Sequence, residues 1–324
     1  MRYLVTGGSG FIGSHLTESL LGSGHEVLAL DDLSTGRYQN VAHLESRPGF
    51  ELIVASVTEP AVVERCVQDC SAVFHLASAV GVKLVVEEPV KTIETIVNGT
   101  DNVLRACARY RRPFLLTSTS EVYGKSAKIP YSEGDDTLMG PTTTRRWAYA
   151  CAKALDEFLT LAHWHTTRLP VVVARLFNTV GPRQTGRYGM VVPRFIAQGI
   201  AGEPITVFGD GTQSRCFAHV ADVVGALTQL METPEARGQV FNIGNDEEIS
   251  ILKLAERIRH LTGQRSPIRT IPYTEAYTAG FEDMQRRVPD LSRIGRLIGY
   301  RPTRDLDQIL ADVLAEQQAA SGLG

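Results

Sequence analysis

The sequence predicts an α/β protein built on a doubly wound parallel sheet with a smaller C-terminal domain. In the first half of the 324-residue chain, short runs of Val, Leu and Ile alternate with longer amphipathic stretches. This alternation is typical of parallel strands that are buried on both faces and joined by helices. A glycine-rich turn follows the first run, as expected where a strand leads into a helix. The predicted strands are YLVTG (3–7), EVLALD (26–31), ELIVA (51–55), AVFHLA (72–77), FLLTS (114–118) and VVVARLF (171–177).

The pattern loosens after about residue 178, where Pro and Gly become frequent. One more strand is predicted at QVFNIG (239–244), and ISILKLAERIRHL (249–261) has the spacing of an amphipathic helix. The C-terminal third therefore predicts a small domain, part of whose chain returns to the sheet. The expected domains are residues 1–177, which 218–245 rejoins, and residues 178–324.

Composition and charge exclude several classes of function. The chain is 43% hydrophobic and 21% charged, as in an ordinary soluble globular protein, and its net charge is -3. This balance gives no general attraction to nucleic acid or to an anionic membrane. The N-terminus lacks the regions of a signal peptide, and no apolar run is long enough to span a membrane. Five cysteines in neither a CxxC nor a zinc-binding spacing favour a reduced, cytoplasmic protein without a metal site.

The histidines point to no metal site either. His163 and His165 stand two apart on a predicted helix, so they cannot easily share a metal ion. His75 lies in an apolar strand, where we expect a core histidine with satisfied hydrogen bonds.

The glycine-rich turn TGGSGFIGSHL (6–16) predicts a dinucleotide site. It follows the first predicted strand and opens a helix, and Gly7, Gly10 and Gly13 fit the spacing GxxGxxG. Such glycines allow a tight turn, let backbone N–H groups approach a pyrophosphate, and let the helix pack closely on the strand. The strand, turn and helix context makes this match more specific than the glycines alone.

Asp31 ends the second predicted strand, eighteen residues beyond Gly13. A carboxylate here accepts hydrogen bonds from a ribose 2′-OH and repels a 2′-phosphate, so NAD is favoured over NADP. The structural alternative is a plain glycine turn with Asp32 as a capping residue.

Tyr149 and Lys153 stand four apart in RWAYACAKALDEF, which has a helical pattern, so they lie on one face of a helix. An ammonium beside a phenol favours the phenolate, which can then take a proton from a sugar hydroxyl. The hydroxyl-rich stretch TSTSEVYG (117–124) follows the strand FLLTS and so lies at the carboxyl edge of the sheet, where α/β sheets bind ligands. Thr119 in this stretch can hydrogen-bond the same sugar oxygen as Tyr149.

These motifs resemble the extended short-chain dehydrogenases/reductases that modify nucleotide sugars. The resemblance covers nearly the whole chain, through TGGSGFIG, HLAS (75–78), NGT (98–100), TSTSEVYG, YACAK, RLFNTVGPR (175–183) and GEPITVFGDGTQSR (202–215). It implies a catalytic triad of Thr119, Tyr149 and Lys153, with NAD bound by the first domain and a nucleotide sugar by the second. It also implies a homodimer formed through two helices of each subunit. The further cofactor-binding residues it implies are Phe11, Ile12, Asp32, Leu76, Ala77 and Asn98.

The resemblance also places a nucleoside diphosphate site in the second domain. Guanidinium groups bind phosphate bidentately, so arginines can hold a dianion on an acidic protein. TVF (206–208) resembles the segment that packs against uracil, which suggests UDP. The substrate-binding residues implied are Ser120, Asn178, Val191, Val192, Arg215, Arg287 and Asp290. For Arg145, Arg146 and Arg187, a solvated surface position is an equal alternative.

The pair Ser120-Glu121 bears on the reaction that follows oxidation at C4 of the sugar. Related 4,6-dehydratases have Asp-Glu here, so the missing acid counts against a dehydratase. The stretch resembles that of UDP-glucuronate decarboxylases, in which C4 oxidation creates a β-keto acid that loses CO2. The resemblance implies that Glu121 assists at C5 and that Arg215 helps position the carboxylate, with UDP-xylose as product.

Two departures keep other functions open. HLASAVGVKLVVEEP (75–89) and TTTRRWAYACAK (142–153) differ from the decarboxylase pattern, and the first is more like epimerases, so a UDP-sugar 4-epimerase is the second interpretation. Lys83 and Arg146 are candidate carboxylate anchors, with a solvated side chain as the default interpretation. A nucleotide-binding regulator without catalysis is the non-enzyme alternative, and the intact Thr119, Tyr149 and Lys153 argue against it.

Overall fold

The computed structural model describes residues 1–78, 88–186, 189–276 and 284–320. Its strands are β1 (Arg2–Thr6), β2 (Glu26–Asp31), β3 (Phe50–Val54), β4 (Ala72–His75), β5 (Phe114–Thr119), β6 (Val171–Leu176), β7 (Thr179–Val180), β8 (Ile205–Phe208), β9 (Ser214–Cys216), β10 (Ala218–His219), β11 (Gln239–Ile243), β12 (Glu248–Ser250) and β13 (Ile268–Ile271). Its α-helices are α1 (Phe11–Gly22), α2 (Pro60–Gln68), α3 (Pro89–Tyr110), α4 (Trp147–Thr167), α5 (Val191–Ala201), α6 (Val220–Glu232), α7 (Ile251–Leu261), α8 (Tyr273–Ala276), α9 (Ser292–Ile298) and α10 (Leu306–Ala320).

Seven strands form one parallel sheet in the order β11-β6-β5-β4-β1-β2-β3. The chain builds outward from β1 to β3 and then crosses back to β4 on the other side of β1. The doubly wound sheet predicted from the sequence is therefore confirmed. Such a reversal opens a crevice at the carboxyl ends of the strands, which is where α/β sheets bind ligands.

Apolar side chains cover both faces of this sheet, which explains its nearly continuous Val/Leu/Ile runs. On one face α1 and α6 pack through residues such as Leu16, Leu20 and Leu227. On the other face α2, α3 and α4 pack over a second cluster that includes Val103 and Leu104. The sheet is thus a rigid layer that fixes the loops at its edge.

A separate apolar cluster lies among α5, α7, α10 and β8. Its buried residues include Phe195, Leu254, Ile258 and Ile309. The intervening chain returns to the main sheet, because β11 pairs with β6 and α6 packs against α1 and β6. The crevice is consequently lined on one side by the main sheet and its helices and on the other by this separate cluster.

Several element ends differ from the sequence-based expectation by one or two residues, and two of these differences have a clear physical cause. Strand β5 continues through Thr119 because that residue still pairs with Leu176 of β6. Helix α7 begins at Ile251, two residues late, because Ser250 caps it through a hydrogen bond from the N–H of Lys253 (3.2 Å) and β12 pairs with β9. Capping and non-local pairing thus set these ends.

Among the helices of the described ranges, none is long and apolar enough to cross a membrane. All five cysteines carry free thiols, four of them buried. The described residues also contain no group of three or more His, Cys, Asp or Glu side chains able to hold a metal ion.

Candidate active site

A cavity of about 720 Å³ lies at the carboxyl edge of the sheet. Its walls bring together most of the residues singled out from the sequence, although these are spread over nearly 300 positions. The predicted site residues that line it are Gly7, Gly10, Phe11, Ile12, Gly13, Asp31, Asp32, Leu76, Ala77, Thr119, Ser120, Glu121, Tyr149, Asn178, Val191, Val192, Arg215 and Arg287.

Three predicted site residues do not line this cavity. Lys153 is buried behind Tyr149, one helical turn along α4. Asn98 is exposed on α3, next to the buried Gly99 and Thr100. Asp290 is half-buried and accepts a hydrogen bond from the N–H of Ser292 (2.8 Å) at the start of α9. Asn98 therefore lies on the surface of a helix, and Asp290 lies at the start of one.

The glycine turn forms one end of the cavity. Gly7 has a φ of +70°, a conformation that side chains with a Cβ rarely adopt. A Cβ on Gly13 would lie 2.0 Å from the carbonyl oxygen of Gly7, so only glycine lets α1 start this close to β1. The first turn of α1 thus presents backbone N–H groups to the cavity, and these residues fit the pyrophosphate of a dinucleotide.

Asp31 marks the end of β2 beside that turn. Its carboxylate accepts hydrogen bonds from the N–H groups of Ser9 (2.9 Å) and Leu33 (2.8 Å), which fix it at the cavity wall. Burial raises the pKa of Asp31, and these backbone bonds oppose the rise. A carboxylate held here fits a ribose with free hydroxyl groups and disfavours one that carries a phosphate.

The phenol of Tyr149 faces the middle of the cavity, at the end of β5. Burial raises its pKa, the Glu121 carboxylate raises it further, and the neighbouring hydroxyls of Thr119 and Ser78 oppose the rise. The phenol is therefore protonated at neutral pH in the protein alone, and it needs nearby positive charge to act as a base. Lys153, only 2% exposed, lies one helical turn further along the same face of α4 and is the candidate for such a charge.

Glu121 is held by two arginines at the same point. One oxygen, Oε1, lies 3.1 Å from a guanidinium nitrogen of Arg287 and 3.5 Å from one of Arg146. All three side chains are at most 15% exposed and line the cavity. Guanidinium groups pair readily with anions, so this patch suits an anionic group of a ligand.

The default interpretation of Arg146 as a solvated side chain is wrong. It is 4% exposed at the start of α4, whereas its neighbour Arg145 is exposed. Arg146 is the residue directly before α4, and of the two arginines it alone lines the cavity. Lys83 and Arg187 lie outside the described residues.

The far end of the cavity combines aromatic and cationic side chains. The guanidinium of Arg194 lies 4.0 Å from the ring centroid of Phe208, and Arg215 is 93% buried nearby in β9. Asn178 donates a hydrogen bond to the carbonyl oxygen of Cys216 (3.1 Å), which ties the segment between β6 and β7 to β9. Sequence reasoning missed Arg194 and Ser78. Arg194 reaches the cavity only because helix α5 positions it there, and Ser78 was quoted as part of HLAS without a role of its own.

Comparison with known proteins agrees with this geometry. A sequence model of the NAD dependent epimerase/dehydratase family matches residues 3–244. The chain is 38% identical over 314 residues to a UDP-N-acetyl-alpha-D-glucosaminuronate decarboxylase of Bacillus cytotoxicus, covering 97% of this chain and 96% of that protein. It is also 38% identical over 310 residues to UDP-glucuronic acid decarboxylase 1 of Danio rerio, covering 95% of this chain and 70% of that protein.

Solved structures share the fold. A UDP-glucuronic acid 4-epimerase of Bacillus cereus, in complex with UDP-glucuronic acid and NAD, superimposes with a TM-score of 0.89 at 28% identity. The superposition covers 99% of this chain and 100% of that one. The family and the fold predicted from the motifs are therefore both confirmed.

Proposed function

Because the chain belongs to the NAD dependent epimerase/dehydratase family, we propose that it decarboxylates a UDP-linked uronic acid after oxidation at C4. One observation carries the proposal: Glu121 lies between the buried Arg146 and Arg287, in the same cavity as Tyr149. An epimerase acting on a neutral sugar has no need for such a cluster. The decarboxylase names of the similar proteins support the same reaction.

Oxidation at C4 requires that NAD is bound first. The glycine turn would hold the pyrophosphate of NAD, and Asp31 the adenosine ribose. Bound NAD supplies the hydride acceptor for C4 and the donor that completes the cycle. Tyr149 takes the proton of the C4 hydroxyl, while Lys153 offsets the charge that develops on the phenol. Thr119 hydrogen-bonds the same sugar oxygen.

The carboxylate of the sugar then lies β to the new C4 carbonyl. Cleavage of the C5–C6 bond releases CO2 and leaves its electron pair spread over C5 and the C4 oxygen as an enolate. The Tyr149 phenol, now protonated, donates a hydrogen bond to that oxygen and so stabilises the enolate. Glu121, or a water that it orients, assists when C5 regains a proton. Ser120 stands where a 4,6-dehydratase needs an acid, so loss of the C6 hydroxyl is disfavoured.

The far end of the cavity fits the nucleotide. In this proposal Arg215 and Asn178 bind the diphosphate and Phe208 with Arg194 contacts uracil, which is supported by their common position in the cavity wall. The diphosphate of the ligand is a dianion, and the protein itself carries a net charge of -3. These local cations are therefore needed to hold the diphosphate.

A UDP-glucuronate 4-epimerase is the second candidate. It is favoured by the similarity of the fold to the epimerase of Bacillus cereus and by the C4 oxidation that both reactions share. An epimerase must keep the carboxylate while the keto sugar turns over in the site. The two candidates therefore differ in whether the sixth carbon remains on the product.

Product analysis tests the proposal. The NAD-loaded protein is incubated with UDP-glucuronate, UDP-N-acetylglucosaminuronate or UDP-glucose, and the products are identified by NMR together with the released CO2. We expect CO2 and a UDP-pentose or its 4-keto form from an acidic sugar, and no reaction of UDP-glucose. Formation of UDP-galacturonate alone would establish the epimerase. If no sugar is converted, the chain is a nucleotide-binding protein without this activity.

We also propose a homodimer formed through α3 and α4. These two helices pack on each other and expose the apolar residues Val90, Ile93, Leu155 and Phe158. Burying such a patch against a second copy removes apolar surface from water. Phe158→Glu is expected to raise the dimer dissociation constant at least 10-fold in sedimentation velocity. Leu138→Glu, at an exposed apolar residue that belongs to neither helix, is the control, and an unchanged constant for Phe158→Glu would contradict this interface.

We propose the cytoplasm as the compartment. The support is chemical: all five cysteines carry free thiols, including the exposed Cys151. Free thiols persist where the surroundings are reducing. Cell fractionation tests this proposal, and recovery with the membrane or secreted fraction would contradict it.

A further inference from the structure

A buried chain of polar groups leads away from the catalytic tyrosine and lysine. Lys153 Nζ donates to Asp156 Oδ2 (3.1 Å), and the Thr100 hydroxyl donates to the same oxygen (2.8 Å). Thr100 Oγ1 lies 3.1 Å from His75 Nε2, and His75 Nδ1 lies 2.8 Å from Thr6 Oγ1. All five residues are at most 2% exposed. They come from β1, β4, α3 and α4, so four parts of the chain meet behind the cavity.

The direction of each hydrogen bond in this buried network follows from counting donors and acceptors. Thr6 Oγ1 accepts the N–H groups of Leu76 and Ala77, both at 3.2 Å. These bonds occupy its two lone pairs, so its hydrogen points to His75 Nδ1. The proton of the imidazole is therefore on Nε2 and points to Thr100.

The other end requires the same arrangement. A carboxylate accepts only, so Thr100 must give its hydrogen to Asp156 and use a lone pair for His75. Both ends thus assign one tautomer to His75 independently. Burial lowers the pKa of His75 to about 3, and the Lys153 charge adds to the shift, so the ring is neutral at neutral pH. Every donor in the chain points toward Asp156.

Asp156 is consequently the single acceptor on which the network ends. Its Oδ2 takes two hydrogen bonds, and among the described residues Oδ1 has no hydrogen-bond partner. Burial raises the pKa of its carboxyl, and Lys153 and the Thr100 bond oppose the rise. A buried carboxylate held in this way needs the adjacent ammonium, and the ammonium needs the carboxylate.

We propose that Asp156 is a positioning residue that anchors the Lys153 ammonium and shares its charge, so that the basicity of Tyr149 is set by a lysine-aspartate pair rather than by a lysine alone. Asp156 does not line the cavity, and it therefore acts through Lys153 and not on the sugar. The neutral His75 and Thr100 hold its carboxylate in place. The inference rests on the role of Tyr149 and Lys153 in C4 oxidation, which is the same for a decarboxylase and an epimerase.

Several charged groups lie on the elements around Tyr149. Glu121 approaches it from the turn after β5, and Lys153, Asp156 and Glu157 belong to its own helix α4. The negative charges of Glu121 and Asp156 both raise the pKa of Tyr149. Glu157 is paired with Arg175 (2.7 Å), which neutralises its charge locally. Removing the Asp156 charge should therefore leave Lys153 with more influence on the phenol.

The test is a spectroscopic titration of the variant Asp156→Asn. Asn keeps an oxygen that accepts from Thr100 and Lys153 but removes the charge. The ultraviolet absorbance of the phenolate is followed against pH in the NAD-loaded protein, with Tyr149→Phe subtracted as background. We expect the apparent pKa of Tyr149 to fall by about one pH unit, and the acid limb of the kcat/KM profile to move equally. The control Asp101→Asn removes a partly exposed carboxylate of α3 that pairs with Arg105, and it should leave the titration unchanged.

A structural role alone gives a different result. If Asp156→Asn lowers thermal stability or turnover while the phenolate titration keeps the wild-type pKa, the inference is overturned. Should Asp156→Asn fold poorly, Asp156→Ser is titrated instead, and the pKa of Tyr149 should again fall, because this variant also removes the negative charge that raises it. The phenolate titration is made without any sugar, so it does not depend on which sugar is processed. Failure of decarboxylation and failure of this inference are therefore distinguishable.

Discussion

Replacing Glu121 by Gln is expected to lower the release of CO2 from UDP-glucuronate by about 10²-fold or more, in the range typical for loss of an acid-base group. Binding of UDP-glucuronate should be retained or tightened, because the variant removes a negative charge from a cavity that receives an anion. Turnover is measured as released CO2, and binding by calorimetry on the NAD-loaded protein. The expected signature is thus a fall in kcat without a rise in Kd.

Glu248→Gln is the matched control for this variant. Glu248 pairs with Arg286 (2.7 Å) much as Glu121 pairs with Arg287, but it does not line the cavity. Its amide variant should keep turnover within about twofold of the wild-type rate. A Glu121→Gln enzyme with wild-type turnover would remove Glu121 from the chemistry and leave it as a structural partner of the arginines.

Replacing Arg146 by Met should lower kcat/KM for UDP-glucuronate roughly 10- to 100-fold, which corresponds to the loss of a charged hydrogen bond. Methionine keeps an unbranched side chain of similar length, so packing at the start of α4 changes little. The affinity for UDP itself should stay within about twofold, because the proposed diphosphate ligands Arg215 and Asn178 are unchanged. Steady-state kinetics and UDP titration measure the two quantities.

The chain offers a close control for this experiment in the preceding residue. Arg145→Met makes the same chemical change at an exposed position one residue away. It should leave both kinetics and affinity unaltered. If the two variants behave alike, Arg146 does not recognise the carboxylate, and the anionic group of the sugar is bound elsewhere.

The sheet and the cofactor turn were predictable because their signals are local. Continuous apolar runs follow from burial on both faces, and the close approach of Gly13 to Gly7 requires glycine whatever the rest of the fold does. The end of β5 then places Thr119 at the carboxyl edge of the sheet, and the first turn of the following helix, α4, holds Tyr149. This part of the site needs no long-range information.

The arginines and the buried network were not predictable in this way. Arg145 and Arg146 are the same residue type at adjacent positions, and only the docking of α4 decides which of them faces the cavity. Thr100 and Asp156 look like ordinary helix residues in the sequence. Their partners are on other strands and helices, so hydrogen-bond geometry becomes visible only after the chain is folded. Asn98 illustrates the converse, since its motif matches the family while its side chain lies on the surface of α3.

The ion pairs of Glu121 mean that an acidic ligand must replace one carboxylate partner of the arginines by another. A carboxylate already occupies Arg146 and Arg287 before any sugar arrives, so an acidic sugar competes with an internal group of the same chemistry. A neutral sugar leaves that internal pairing undisturbed. With either substrate a carboxylate pairs with the arginines: that of an acidic sugar, or Glu121 when the sugar is neutral. The difference in binding free energy between acidic and neutral sugars is therefore smaller than the free energy of either ion pair. Preference for a uronic acid is accordingly expressed more in the rate of its conversion than in the tightness of its binding.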